Sequence, residues 1–286
     1  MRSDARAPAA SSTGARAGRV ALVILVLLYL GVVLIGPLGA LGGELADVGV
    51  GAALGALGRE DALAALRMTV VLTAIAVAVN AVVGTAGAIA IVRHRFRGRA
   101  LLSALADLPL AVSPVVIGLA FLALVGRDGV LAPWLDALGV RVVFAFPGLV
   151  VAVLFVTLPY TIREVAYVLE EIGTSEEEAA VTLGASAWQT FWRVTLPNVR
   201  VALGYGLLMT MARSLGEFGA VLVLGGSISG QTQTATTFIH DAIEERELAP
   251  AYGMAALLAA ISVLLLAALE WAKGRRARAA EKEADR

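Results

Sequence analysis

The chain contains no cysteine and only two histidines. Disulfides, thiolate metal sites and cysteine nucleophiles are therefore excluded, although this does not fix the compartment. His94 sits in a basic loop and His240 in a polar stretch, and neither belongs to an acidic or histidine-rich cluster that could hold a catalytic metal. No G-x-x-x-x-G-K-[ST] phosphate loop occurs anywhere, so the chain is not expected to hydrolyse ATP, and no cofactor is expected. Lysine is scarce, 2 against 21 arginines, which together with the alanine richness reflects a GC-rich genome more than chemistry. Charge of either sign is sparse at 16%, and 23 basic and 23 acidic residues cancel, so nothing in the net charge points to nucleic acid as a partner. No repeat of 20–50 residues is present.

What fills the chain instead is apolar. Hydrophobic residues make up 59% of its 286 positions, more than a soluble domain of that length needs and what several bilayer spans require. A span takes about 20 mostly apolar residues. Six segments qualify, at roughly 20–41, 66–92, 101–125, 142–168, 199–224 and 251–272. The first follows Arg2, Arg6, Arg16 and Arg19, as a secretory signal would, but it is too long and lacks a cleavage site, so it reads as a retained span.

Basic residues alternate between the connecting loops. Four arginines lie in the N-terminal tail, four in RHRFRGR at 93–99, Arg163, Arg193 and Arg200 around the fourth connection, and six Lys/Arg in the tail from Lys273. The other loops hold only Arg59, Arg67, Arg127, Arg141 and Arg246. This bias predicts that both termini and the 163–200 region are cytoplasmic. The tail KGRRARAAEKEADR at 273–286 reads as a solvated helix end that stops the last span.

The loop before the fifth span has a shape written into it. Ser175 followed by Glu178 reads as a capping box that starts a short helix at Glu176. Gly184 suits the left-handed position that ends it. Ser186 followed by Gln189 reads as a second box, opening a helix that carries Trp188, Phe191 and Trp192, and Pro197 after Leu196 is expected to bend the chain into the fifth span. Local chemistry alone leaves two readings open: Glu178 only caps and the aromatics only sit at the interface, or the loop is a docking surface.

A resemblance separates them. Glu178, Ala179, Ala180, Gly184, Val194, Leu196 and Pro197 fit the pattern E-A-A-x3-G-x9-hydrophobic-x-L-P, the cytoplasmic loop signature of the permease subunits of bacterial ABC importers. From about residue 20 to 272 the chain resembles the sulfate/thiosulfate importer permeases, through DLPLAVSPVVIGL at 107–119, FPGLVVAVLFVTLPYTIRE at 146–164, the loop itself and ARSLGEFGAVLVLGGSISGQT at 212–232. The ARSLGEFGA block is similar to molybdate permeases as well, whereas AVSPVV and GGSISGQT lean toward sulfate.

The resemblance implies an all-α membrane protein with six transmembrane helices, the type I ABC importer permease fold, and both termini cytoplasmic. The transmembrane domain would span 20–272, with a coupling loop at about 174–197, between a tail at 1–19 and a charged tail at 273–286. Implied partners are a second permease subunit, two ABC ATPase subunits, an extracytoplasmic sulfate-binding protein and the lipid bilayer. Glu178, Ala179, Ala180, Gly184, Leu196 and Pro197 would form the contact with an ATPase subunit. The same machine carrying molybdate or tungstate is the alternative. An ion-coupled secondary transporter would not need the loop signature, and an intramembrane enzyme would need a nucleophile and base that are not visible.

An oxyanion in hydrocarbon needs fixed donors or positive dipoles. Ser113-Pro114 interrupts the third span and suits the start of a fresh helix running to about Val125, whose N-terminus would lie inside the bilayer. A proline kink that aids packing is the plainer reading. Arg213 and Glu217, spaced i, i+4 in the fifth span, read first as an ion pair that fixes the bundle and second as anion-path residues. They are expected to share a helical face with Gly206, Gly216 and Ala220. Asn80 and Asp107 read as inter-helix hydrogen-bonding groups.

Overall fold

A computed structural model of the protein describes residues 12–284, and all of its regular elements are helices. Residues 1–11, with Arg2 and Arg6 of the expected N-terminal tail, and residues 285–286 lie outside the described residues. In chain order the helices are α1 (Ser12–Leu30), α2 (Gly36–Val48), α3 (Val50–Ala56), α4 (Glu60–Arg93), α5 (Arg99–Ala111), α6 (Pro114–Val125), α7 (Ala132–Ala137), α8 (Phe146–Ile172), α9 (Ser175–Thr182), α10 (Ala187–Thr190), α11 (Leu196–Leu215), α12 (Gly219–Gly225), α13 (Ala235–Glu244) and α14 (Leu248–Ala284). Among the described residues four helices are long and apolar enough to cross a membrane, and up to six spans result if each of two bent pairs counts as one.

The two bent pairs are α5 with α6, at 118°, and the helical run ending in α11 with α12, at 57°. The first break has a plain cause. Val112 is extended, as the chain must be near a proline, and Pro114 takes the first turn of α6, where its missing N–H costs nothing. The second break falls at Gly216, so the 199–224 segment is not the single helix that its apolar run suggests. α6 and α12 then pack on each other at close range. A Cβ on Gly118 would meet Val223 Cβ at 2.8 Å, and one on Gly219 would meet Val115 Cγ2 at 3.0 Å.

The centre of the molecule is the triad α4, α8 and α11. Leu149, Val153 and Leu224 are sealed in one apolar cluster, while Val165, Leu169 and Val199 seal a second cluster nearer the C-terminal end of α8. Between these clusters runs a seam of hydroxyls. Asn80 Nδ2 donates to Thr157 Oγ1 at 2.9 Å, Thr161 and Thr210 share a hydrogen bond at 3.1 Å, and Thr73 and Ser214 share another at 3.1 Å. Thr161 is gripped from two sides. A Cβ on Gly84 of α4 would lie 2.8 Å from its side chain, and one on Gly206 of α11 would lie 2.8 Å from its Cα. Small residues and hydroxyls are what let helices associate where lipid offers no hydrophobic drive.

By contrast, α1 and α2 form a continuous apolar rod with no buried residue across Gly18–Val48, a surface for hydrocarbon or another subunit. α14 packs on α13, α3 and α2, so closely that a Cβ on Gly253 would meet the Ala53 carbonyl at 2.6 Å.

The close approach makes a paired prediction. Gly206→Ala should lower the thermal stability of the detergent-solubilised protein by about 1–3 kcal/mol, the usual cost of overpacking. Gly204→Ala, two residues away with nothing within 4 Å of the added carbon, should be neutral or slightly stabilising. Thermal unfolding of the two variants side by side checks it.

Candidate functional site

The conspicuous loop spans α9, α10 and the start of α11. α9 begins one residue earlier than its sequence suggests. Thr174, not Ser175, is the N-cap residue, and its backbone carbonyl accepts from Glu178 N–H at 2.9 Å. Ser175 is already helical, so the expected Ser175–Glu178 box does not form, and the Thr174 hydroxyl donates to the Glu178 carboxylate at 2.7 Å instead. The helix ends on Gly184, at φ +88°, with Ala185 N–H on the Ala180 carbonyl and Gly184 N–H on the Val181 carbonyl. That is a Schellman closure, which a residue with a Cβ adopts only under strain.

The second capping box is present. Gln189 N–H donates to Ser186 Oγ at 3.3 Å, and Ser186 N–H donates to Gln189 Oε1 at 2.9 Å. α10 does not stop there. A π-turn at Phe191–Thr195 carries it into α11, with Pro197 on the first turn of α11, so Ala187–Leu215 is one helical run and Pro197 does not bend it sharply. A π-turn shifts the hydrogen-bond register by one residue, so the ladder absorbs a proline one turn on.

The loop is held from beneath by Arg93, the last residue of α4. Its guanidinium donates to the carbonyls of Leu169 at 2.9 Å and Gly173 at 2.6 Å, and pairs with Glu177 at 2.8 Å. Glu177 also accepts from the Thr195 hydroxyl at 2.7 Å, and Glu176 accepts from Asn198 Nδ2 at 2.6 Å. Orphan carbonyls at the end of α8 thus find a cation, as helix C-termini favour. Arg93 joins the ends of α4 and α8 to α9, and Glu176 and Glu177 join α9 to the start of α11. Sequence reading registers Arg93 only as one basic residue of a loop. Its acidic partner is 84 positions away, and only the run Glu176-Glu177-Glu178 hints that a cation must come from elsewhere.

Glu178 and Ala179 remain exposed on the outer side of α9, while Ala180 and Leu196 are half-buried and Pro197 is exposed. Around them Leu183 is 89% exposed and Trp188 69% exposed. Trp188 and Trp192 meet edge to face at 5.4 Å, as do Phe191 and Trp192 at 5.2 Å. The arrangement is a knob with an apolar surface and the exposed Glu178 carboxylate, which the Thr174 hydroxyl holds. Its chemistry is that of a surface for another protein.

Of the residues expected near an anion, Ser113 is the N-cap residue of α6 but makes no side-chain cap; its carbonyl accepts from Ile117 N–H. Arg213 and Glu217 form an ion pair at 2.7 Å, with side chains 28% and 1% exposed. Because the helix breaks between them, Glu217 does not share one helical face with Arg213. Its Oε1 accepts from Ala220 N–H at 2.9 Å at the start of α12, and its backbone carbonyl accepts from the Thr236 hydroxyl. Asp107 pairs with Arg163 of α8.

At the far end of α4, Arg59 bridges Asp61 and Glu247. The hydrogen bond that it donates to Glu247 first, then those to Asp61, push this guanidinium above its ordinary pKa. Asp241 accepts from Ser227 and from Gln233 Nε2, pinning the glycine-rich turn before α13. Among the described residues no group of His, Cys, Asp and Glu could hold a metal.

Comparison with known proteins places these features. Residues 81–278 match the family described as binding-protein-dependent transport system inner membrane component. The chain is 43% identical over 262 residues to the sulfate transport system permease protein CysW of Synechococcus elongatus, covering 91% of this chain and 92% of that one. It is 36% identical over 249 residues to the sulfate transport system permease protein CysT of Escherichia coli, covering 87% and 90%. Among solved structures, a chain of a bacterial alginate ABC transporter in complex with an alginate-bound periplasmic protein superposes with a TM-score of 0.73 at 17% identity, covering 88% of this chain and 91% of that one.

If Arg93 clamps the loop, Arg93→Gln should loosen it without unfolding the triad. Amide exchange across 175–183 should speed by about tenfold, the equivalent of one lost charge-assisted contact, while exchange in the middle of α8 stays unchanged. Hydrogen exchange read by mass spectrometry checks this.

Proposed function

Because this chain belongs to the family of binding-protein-dependent transport system inner membrane components, we propose that it forms half of the translocation path of an ATP-driven importer for sulfate, with thiosulfate as a second cargo. It is a multi-pass membrane protein and a permease subunit, not itself an enzyme. The observation that carries the reading is the α9–α11 knob: it presents an apolar, aromatic surface outward and is tied through Arg93 to the ends of α4 and α8. Such a part is suited to receive force from a separate motor and hand it to the spans. The cargo is inferred from the relatives named as sulfate transport system permeases.

In this reading each bent pair is one span, giving six spans in a domain at 20–272 with short tails at 1–19 and 273–286. The distribution of Arg and Lys supports cytoplasmic termini and a cytoplasmic loop. The partners are a second, non-identical permease, two ATPase subunits, one of which grips Glu178, Ala179, Ala180, Gly184, Leu196 and Pro197, and an extracytoplasmic sulfate-binding protein. Glu217, sealed and bonded to Ala220 N–H, acts with Arg213 as a bundle ion pair. Ser113 marks the α6 N-terminus on the path side.

Two expected outcomes follow. In vesicles carrying the whole importer, labelled sulfate uptake should collapse on ATP depletion but survive an uncoupler, and excess molybdate should compete poorly. Strong competition by molybdate would shift the cargo to that anion. Glu178→Lys should cut both ATPase association and uptake by about tenfold or more, since each 1.4 kcal/mol lost from docking is a factor of ten; intact association and uptake would remove the coupling role.

A further inference from the structure

A charged side chain inside a span faces protein or water, because hydrocarbon offers an ion no partner. Two arginine–carboxylate pairs lie in such positions among the described residues, and their surroundings differ. In Arg213–Glu217 the carboxylate is sealed at 1% exposed while the arginine is 28% exposed. Arg163–Asp107 is open, with side chains 52% and 31% exposed. Arg163 lies nine residues before the end of α8, about 14 Å along the helix from the end that Arg93 clamps. Asp107 lies eight residues into α5, about 12 Å from its start. Both therefore lie within segments that qualify as spans, toward the ends that the basic-residue bias places on the cytoplasmic side, with side chains that this subunit leaves exposed.

Beside them a cleft of about 700 Å³ runs between α4, α5 and α8. Its charged and polar walls are Arg99, Ser103, Arg163, Glu164, Tyr167 and Glu170. We propose that Arg163 and this cleft form an oxyanion-binding step of the path, on the side nearer the α9–α11 knob, with Asp107 as a resident counter-ion that the passing anion displaces. The proposal rests on the reading of this chain as half of an anion path.

Geometry and charge carry it. Asp107 takes Nε and Nη2 of Arg163 with its two oxygens. That edge of the guanidinium matches a carboxylate or a tetrahedral oxyanion equally well, so the aspartate already stands where a sulfate oxygen pair would sit. A bare arginine in this setting would hold a dianion too firmly for turnover. Exchange of one anion for another keeps Arg163 compensated before and after passage, and conduction needs binding weak enough to leave. Glu164 and Glu170 on the same wall repel an anion that lingers, while Arg99 and Ser103 supply donors near the start of α5. Structural pairing alone does not explain why this pair leaves its carboxylate and half of its arginine open when Glu217 is sealed against Arg213.

The charge swap Arg163→Asp with Asp107→Arg separates the two roles in the complete importer reconstituted in vesicles. A structural pair survives reversal, so uptake near the wild-type rate would overturn the proposal. An anion-binding arginine does not survive it, because the cation moves to α5. The expected result is an assembled complex with ATP hydrolysis retained and uptake reduced by about tenfold or more, the loss of one bidentate contact. Labelled sulfate and labelled molybdate are measured in parallel, so a wrong cargo, which would sink the sulfate reading, leaves the swap readable on the anion that is carried.

Should the swap fail to assemble, Ala100→Cys, on the cleft wall with Arg163 left in place, supplies a second readout in a chain with no cysteine of its own. A water-soluble thiol reagent is expected to label it in the assembled importer, and saturating sulfate to slow that labelling severalfold. A cysteine that does not label, or labels at the same rate with and without sulfate, would overturn the proposal.

Discussion

The approach of three helices at Thr161 is the constraint on which the rest of the structure depends. In water, α4, α8 and α11 could be driven together by burying leucine. In a bilayer that drive vanishes, since lipid tails are as apolar as the side chains, and association rests on close packing and hydrogen bonds. Gly84 and Gly206 provide the space, and Thr161, Thr210, Asn80 and Thr157 provide the bonds. The hydroxyls also satisfy themselves locally, as Thr157 does by donating to the Val153 carbonyl at 2.7 Å, so none is stranded in the apolar interior. A seam built this way tolerates little sliding, because a shift along any helix would bring Cβ atoms to where only glycine fits.

That rigidity gives the knob something to act on. The helical run Ala187–Leu215 extends about 43 Å from the aromatic cluster around Trp188 to the bend beside Arg213 and Glu217. No flexible joint lies between them; the π-turn at Phe191–Thr195 alters hydrogen-bond register but keeps the helix continuous. In the proposed coupling, a displacement of the knob would reach the middle of the bundle through α11, with α4 and α8 linked to the knob through Arg93. The places built to yield are the breaks at Val112–Ser113 and Gly216–Phe218, where α6 and α12 pack against each other through Gly118 and Gly219. Stiff levers ending in short, broken helices are the form of coupling expected when a movement at one end must open or close a path some distance away.

Much of this was legible in the sequence. Apolar runs located four helices long enough to cross a membrane and two bent pairs, Gly184 announced a left-handed closure, and Ser186 with Gln189 announced a capping box, while Ser113-Pro114 produced a full break where a simple kink was the plainer reading. These are short-range signals, each complete within a few residues. What failed was equally local in cause. Thr174 displaced Ser175 as the cap because two adjacent hydroxyl residues offer the same chemistry and only backbone geometry chooses between them. The fifth span seemed continuous because its apolar residues continue across Gly216-Glu217-Phe218, and periodicity does not register a helix that stops and restarts. Arg93 with Glu177, and Arg163 with Asp107, were hidden for another reason. Their partners are 84 and 56 positions apart, and sequence holds no signal for pairing at that distance.

The charges inside the membrane finally argue for a division of labour. Burying an ion pair gains little over packing apolar groups in its place, but removing one partner from a buried pair costs about 3–5 kcal/mol. Pairs of that kind are retained where they fix a geometry that apolar contacts leave ambiguous. Glu217 fits that description: it joins Arg213 at the end of α11 to the first turn of α12 and so sets the 57° bend. Solvent or another subunit reaches Arg163 and Asp107, so their pairing is weaker and can be exchanged. A path for a dianion needs both kinds of site, one that does not change as cargo passes and one that does. In the proposed path, sealed Glu217 takes the first role and the more exposed Arg163–Asp107 pair the second.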